Sequence, residues 1–286
     1  MTVPDPWSHI PDEVLQGLRG VLTDIDDTLT RDGALDPPAL AALQRLQQAG
    51  LPVIAITGRP AGWSEPFALA WPVAGIVAEN GAVLLRRRAD GALQVNYTQD
   101  EPTRLAHAQR LAACAAAILA EVPGATLARD SAGRRTDIAI DHSEFEHLGE
   151  AAIAQVVALM RAHGLTATVS SIHINGWIGG HNKWTAAQWA VPQLLGEPFE
   201  PARWLYVGDS TNDQVMFEHM PLTVGVANIA RFWPQLRHRP AWVTAGDRGL
   251  GFAEVAARLL SATGVAPATP AAPGPALAPE PRRRAP

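Results

Sequence analysis

One cysteine among 286 residues excludes several classes of protein at once. Cys114 alone can build neither a disulfide framework nor a cysteine-based metal site, and in its alanine-rich stretch it reads as a small buried side chain on a helix. Basic charge is short as well: 23 Lys and Arg against 28 Asp and Glu leave a formal net charge of −5. That balance offers no footprint for nucleic acid, so an anionic ligand must be received locally, by a metal, a lysine or helix ends. No stretch approaches ~18 uninterrupted apolar residues, so no membrane partner or spanning helix is expected. The opening MTVPDPWSHIPDEV carries proline and acid where a secretion signal needs basic and then apolar residues, and a cytoplasmic location is expected. What is plentiful is apolar content, 47% hydrophobic against 18% charged, enough for a substantial core. The length suits two domains at roughly 100–200 residues each.

Residues 1–19 read as a leader without a clear period, and 262–286 as a disordered tail of Ala, Pro and Gly ending in Arg282–Arg284. Between them, apolar runs at Gly20–Ile25, Val53–Thr57, Ile76–Ala78, Trp204–Gly208 and Thr223–Ala227 read as strands buried on both faces. Helical spacing at Pro38–Gln48, Ala186–Leu195 and Phe252–Leu260 separates them, which predicts a doubly wound parallel α/β sheet covered on both sides. The middle breaks this rhythm. A hairpin (Val83–Arg86, Leu93–Tyr97), helices over Pro102–Glu121 and Phe145–His163, and strands near Ala125–Ala128, Asp137–Asp141 and Thr166–Ser171 suggest an inserted α+β unit. The expected division is core 1–83, insert 84–178, core 179–261.

Ligands on such sheets bind beyond the carboxyl ends of the strands, so chemistry should follow the apolar runs directly. Asp24-Ile25-Asp26-Asp27-Thr28-Leu29 does so after GVLT. Three acids in four positions at a strand end call for a cation or other partners, and oxygen-only clusters suit Mg²⁺. Two-residue spacing puts Asp24 and Asp26 on one side of an extended chain, where one carboxylate can attack while the other handles a proton. Gly208-Asp209-Ser210-Thr211-Asn212-Asp213 repeats that layout after another strand, so both acidic tips can converge on one cation. Thr57-Gly58-Arg59, ahead of a helix, offers a hydroxyl and backbone N–H groups to a phosphate. Lys183 opens a helix, against the local preference for acids there, which a nearby anion would explain.

In this order and spacing, the four segments resemble the motifs of the haloacid dehalogenase superfamily: Asp24–Leu29 the first, Thr57 with Gly58-Arg59 the second, Lys183 the third, and Gly208-Asp209 with Asn212-Asp213 the fourth. An insert between the second and third resembles the branch with a type-C2 cap. Glu79-Asn80-Gly81-Ala82 and Val224-Gly225-Val226-Ala227-Asn228 are similar to stretches common there, Asn80, Asn212 and Asn228 being supporting residues. The resemblance spans roughly residues 20–260 and implies a Rossmann-like core carrying a C2-type cap.

It also implies a Mg²⁺-dependent phosphomonoester hydrolase. Asp24 would be the nucleophile and Asp26 the acid and base. The metal would be held by Asp24, the Asp26 backbone carbonyl and Asp209, with Asp213 as a ligand or orienting group, while Thr57, Gly58 and Lys183 would bind the phosphoryl group. A tryptophan at 184 departs from relatives that carry glycine after the lysine. Arg134 and Arg135 can receive a second anion and His173 and Asn175 can line the cap, each standing against an ordinary packing role. The expected partner is a small phosphorylated metabolite, a sugar phosphate by resemblance to sucrose-, trehalose- and mannosylglycerate-phosphate phosphatases. A phosphomutase of the phosphomannomutase type is the alternative, and a phospho-accepting signalling module is a more distant one.

Overall fold

The structure is a computed structural model that describes residues 4–264. Its first half runs β1 (Asp5–Pro6), α1 (Asp12–Gln16), β2 (Gly20–Thr23), β3 (Thr30–Arg31), β4 (Ala34–Leu35), α2 (Pro37–Gln48), β5 (Val53–Ile56), α3 (Ala61–Ala70), β6 (Gly75–Ala78), β7 (Val83–Arg87) and β8 (Leu93–Tyr97). There follow α4 (Glu101–Glu121), β9 (Thr126–Leu127), β10 (Asp137–Asp141), α5 (Glu150–Ala162), β11 (Thr166–Val169) and β12 (His173–Trp177). The chain returns through α6 (Lys183–Leu195), β13 (Trp204–Gly208), α7 (Gln214–His219), β14 (Thr223–Gly225), β15 (Trp242–Val243) and α8 (Arg248–Ala262).

Strict alternation of large apolar residues builds the main sheet. Val21, Val53, Ala55, Ile76, Leu205 and Val207 enter one core with α2, α3 and α8, while Leu22, Ile54, Ile56, Val77 and Tyr206 enter the other with α6 and α7. The nine strands stand in the order β1-β15-β14-β13-β2-β5-β6-β7-β8. Pairing is parallel from β1 to β6, so β13 and β5 flank β2 and all three point their carboxyl ends the same way. The fold is an α/β Rossmann-like core with a cap.

The hairpin β7–β8, expected within the insert, instead closes the main sheet. Val83, Leu84 and Leu85 pair antiparallel with Ala78, Val77 and Ile76 and bury their side chains in the two cores of that sheet. The second sheet, β11-β12-β10-β9, has its own core between α4 and α5, built on Ile118, Ile140, Val156, Met160 and Ile174. Its strand β12 was not expected. The run HINGW carries polar residues, but pairing with both β10 and β11 buries all five.

The leader is also no leader over its described part. Trp7, Ile10 and Leu15 are fully enclosed in the core, and β1 pairs with β15 at the sheet edge. At the other end α8 continues through Ala262, and the Ala/Pro-rich stretch from residue 265 lies outside the described residues.

Local sequence sets the helix that carries Lys183. Asn182 caps α6 by accepting from the Trp184 and Thr185 N–H groups, the Thr185 side chain accepts in return from the Asn182 N–H, and left-handed Gly196 ends it. Trp184 turns away from the site onto Phe199 and His219.

Candidate active site

Parallel register decides which residues meet. Thr23 pairs with Val207 and Ala55, and the Asp24 N–H donates to the Val207 carbonyl at 2.9 Å. The residues that follow β2, β5 and β13 therefore converge at one edge of the sheet, and among them are Asp24, Thr57 and Asp209. Carboxylate oxygens of Asp24, Asp209 and Asp213 lie within 4.8 Å of one another. The Lys183 ammonium faces this cluster, 2.9 Å from Asp24 Oδ1 and 2.7 Å from Asp213 Oδ1.

Burial makes the arrangement electrostatically tense. It pushes the Asp24 carboxyl up to about 7, helped by the Asp213 and Asp26 charges and opposed by Lys183. Asp209 is raised well above the ordinary carboxylate range by burial and by Asp213, Asp24 and Asp27. Burial works against the Lys183 charge, but Asp213 and Asp24 more than offset it and hold the ammonium above its ordinary value. Asp209 Oδ2 accepts from Asn228 at 3.0 Å and Arg231 at 3.2 Å, while Oδ1 is buried with no partner. A buried carboxylate oxygen left unpaired can take a cation, and the all-oxygen donor set fits a hard one such as Mg²⁺.

Asp213 stands differently from its neighbours. Its Oδ2 accepts from the Asp209 and Ser210 N–H groups at 2.8 and 2.9 Å, and its Oδ1 takes the Tyr206 hydroxyl as well as Lys183. Both oxygens are engaged in shaping the loop. That shape demands glycine at 208, where a Cβ would stand 2.5 Å from Asp213 Cγ. Gly208→Ala should lower stability by about 1–3 kcal/mol through overpacking, which thermal unfolding against wild type measures.

Asp26 turns away from this cluster. Arg59 Nε donates to its two oxygens at 2.9 and 3.1 Å. Thr57 is fully buried, its hydroxyl accepting from the Arg59 N–H at 3.0 Å. A Cβ on Gly58 would come within 3.2 Å of Asn175 and 3.3 Å of Asn80, so the loop is roofed by both amides, and the Asn80 Nδ2 is buried without a partner. Asn212 accepts from Ser210 Oγ and stabilises the second acidic loop.

Four residues around the site hold left-handed backbone without being glycine: Asp27, Glu79, Asn80 and Arg248. Such strain persists only where surroundings fix it, and here Asp27 is clamped by Arg231 and Arg248 at 2.8 Å each.

The cap candidates divide. Asn175 donates to the Gly58 carbonyl at 3.2 Å, and His173 pairs with Glu144 at 2.8 Å. Arg134 and Arg135, read as receivers of a second anion, are turned to the chain's own groups. Arg134 is buried between Asp137, Asp130 and the Gly58 carbonyl, and Arg135 reaches Glu65 and the Tyr97 hydroxyl. Residues that spacing did not reveal lie between cap and core. Glu79, fully buried, accepts from the Ala61 N–H and from the Arg135 and Thr136 N–H groups, while Asp130 and Glu144 descend onto Arg59.

Residues 21–108 match the family model of haloacid dehalogenase-like hydrolases. The match takes in Asp24–Leu29 and Thr57–Arg59. Two relatives, both named phosphoglycolate phosphatase, align with most of the chain. The one from Methanococcoides burtonii is 27% identical over 217 residues, 74% of this chain and 84% of its own. The one from Methanothermobacter thermautotrophicus is 27% identical over 259 residues, 85% and 99% respectively. Among solved structures, Thermoplasma acidophilum 0175 shares the fold at TM-score 0.64 and 16% identity, covering 85% of this chain and 98% of its own. The sucrose-phosphatase of Synechocystis does so at 0.61 and 17%, covering 85% and 98%.

Proposed function

We propose that this protein cleaves a small phosphomonoester through an aspartyl-phosphate on Asp24, with Mg²⁺, and that its substrate is a sugar phosphate or a similarly hydroxylated ester. The meeting of Asp24 and Asp209 at the ends of neighbouring strands, faced by Lys183 at the start of α6, carries the reading. The family and the two phosphoglycolate phosphatase relatives support a phosphatase of small phosphorylated molecules.

In this reading Asp24 attacks phosphorus, and Lys183 keeps it ionised against the burial that raises it. Asp26 protonates the leaving oxygen and then takes a proton from water. The Thr57 hydroxyl, the Gly58 loop and the Lys183 ammonium bind phosphoryl oxygens. Asp24, the Asp26 backbone carbonyl and the unpaired oxygen of Asp209 would hold the metal, with Asp213 orienting the loop. Magnesium, when bound, neutralises charge on the transferring group. The roof over Asp26 carries the carboxylates of Asp130 and Glu144. That favours a hydroxyl-bearing alcohol over an acidic one, whereas the relatives' names favour phosphoglycolate. Phosphate release from sugar monophosphates and from phosphoglycolate, each with Mg²⁺ and with EDTA, decides between them. Positional isomers in place of free phosphate would mark a mutase, and stoichiometric labelling without turnover a signalling module.

Metal binding should also show in stability. Asp24 and Asp209 have raised folded values, so between the ordinary carboxylate range and about 7 the metal-free fold binds more protons than the unfolded chain and loses stability as pH rises. A cation favours the ionised forms. Saturating Mg²⁺ should therefore raise Tm by about 5 °C or more at pH 8 and by clearly less at pH 5.5. An equal shift at both pH values would remove these carboxylates as the metal's ligands.

A further inference from the structure

Arg59 is more completely enclosed than a surface ion pair would require, its side chain only 5% exposed. Three carboxylates from three separate segments surround its guanidinium. Asp26 comes from the loop after β2, with Nε donating to both oxygens and the terminal nitrogen also 2.9 Å from Oδ1. Asp130 of the cap lies 3.1 Å from one terminal nitrogen, and Glu144 of the cap 2.7 Å from the other. The Trp63 ring covers a face at 4.9 Å.

The cap ends of this cluster are themselves fixed. Asp141 accepts from the Ser143, Glu144 and Phe145 N–H groups, which shapes the turn that presents Glu144. His173 holds the same carboxylate at 2.8 Å, which together with Arg59 drives it down to about 2 against the opposing effect of burial. Arg134 holds Asp130 at 3.2 Å. Backbones close the gap beside it: a Cβ on Gly62 of α3 would stand 2.9 Å from the Gly133 Cα of the cap.

We infer that Arg59 is a positioning residue that couples cap docking to the placement of Asp26. The inference rests on the phosphatase reading, in which Asp26 is the acid and base. Its physics is that of one buried cation serving several anions. With the cap docked, both edges of the guanidinium are satisfied and its long side chain has no freedom, so Asp26 is held by a rigid donor. With Asp130 and Glu144 withdrawn, one edge is left to water, the side chain regains its rotamers, and the Asp26 carboxylate is no longer fixed. Conversely, without Arg59 the carboxylates of Asp26, Asp130 and Glu144 face one another across the interface and oppose docking.

The test compares Arg59→Ala, the cap variant Asp130→Asn/Glu144→Gln and the triple variant, with p-nitrophenyl phosphate as substrate and hydrogen exchange over residues 126–145 as a second readout. Arg59→Ala should lower kcat by about 10²-fold with little change in KM, since a misplaced acid–base group fails after binding. Arg59→Lys should recover part of that loss, and free guanidinium should restore turnover to Arg59→Ala and not to Arg59→Ala/Asp26→Asn. The cap variant should lose activity too, and the triple variant should exceed Arg59→Ala by less than about threefold because the groups act as one unit. Exchange over 126–145 should quicken in all three. Strictly multiplicative losses, no rescue by guanidinium, or unchanged exchange in Arg59→Ala would overturn the coupling. If wild type itself releases no phosphate, the phosphatase reading fails, while the exchange measurement still judges whether Arg59 docks the cap.

Discussion

Asp24→Asn should abolish turnover, with kcat at least about 10³-fold below wild type, because an amide nitrogen or oxygen cannot form the covalent phosphoenzyme. The substitution is close to isosteric, and the oxygen that accepts from the Ile25 N–H at 2.8 Å can be kept. It also removes a charge that burial, Asp213 and Asp26 all oppose. Loss of activity should therefore come without loss of fold: metal-free Tm should equal or exceed that of wild type at pH 8, where Asp24 would otherwise be forced to ionise. Lys183 keeps a full partner in Asp213 at 2.7 Å, so no buried cation is stranded. Phosphate release and thermal unfolding on the same preparation check both halves. Retention of more than a tenth of wild-type activity removes Asp24 as the nucleophile, whatever the metal does.

Much of this site could be read before any coordinates because buried parallel strands are conspicuous. VIAI, GIVA and WLYVG are apolar on both faces, and the residues just after such runs must lie at the edge where ligands bind. Asp24, Thr57 and Asp209 were legible for that reason, and Lys183 through its unusual place at a helix start. The hairpin β7–β8 was misplaced because alternation reveals a strand and not its partner: Val83–Leu85 suit either sheet until Ile76–Ala78 pair with them. Strand β12 was hidden by Asn175 and Gly176, residue types depleted in strands, which here pair with β10 on one side and β11 on the other. Arg134 looked like a receptor for substrate, yet three residues later stands Asp137, which takes the guanidinium at 2.9 Å. The contacts between cap and core left no local trace at all. Arg59 lies 71 residues from Asp130 and 85 from Glu144, and no periodicity connects them.

The second large effect concerns stability. Lys183 is the ammonium that faces both Asp24 and Asp213, with Tyr206 hydrogen-bonded to the same Asp213 oxygen. Lys183→Met keeps the apolar stem of the side chain and deletes only the charge, leaving two carboxylates buried against each other. Breaking a buried pair from one side costs about 3–5 kcal/mol, and a loss of that size is expected at pH 8 in metal-free protein. The loss should shrink as pH falls, because without the ammonium Asp24 retains only the influences that raise it, burial and the Asp213 and Asp26 charges, and will be protonated at pH 5.5. Asp213→Asn combined with Lys183→Met should recover part of the deficit at pH 8, since one of the opposed charges is gone, although the Asp209 and Ser210 N–H groups then share a weaker acceptor. Denaturant unfolding of the three proteins at the two pH values measures all of this. A Lys183→Met deficit that is the same at pH 5.5 and pH 8 would mean that the lysine supports the fold by packing, and that Asp24 draws its ionisation from elsewhere.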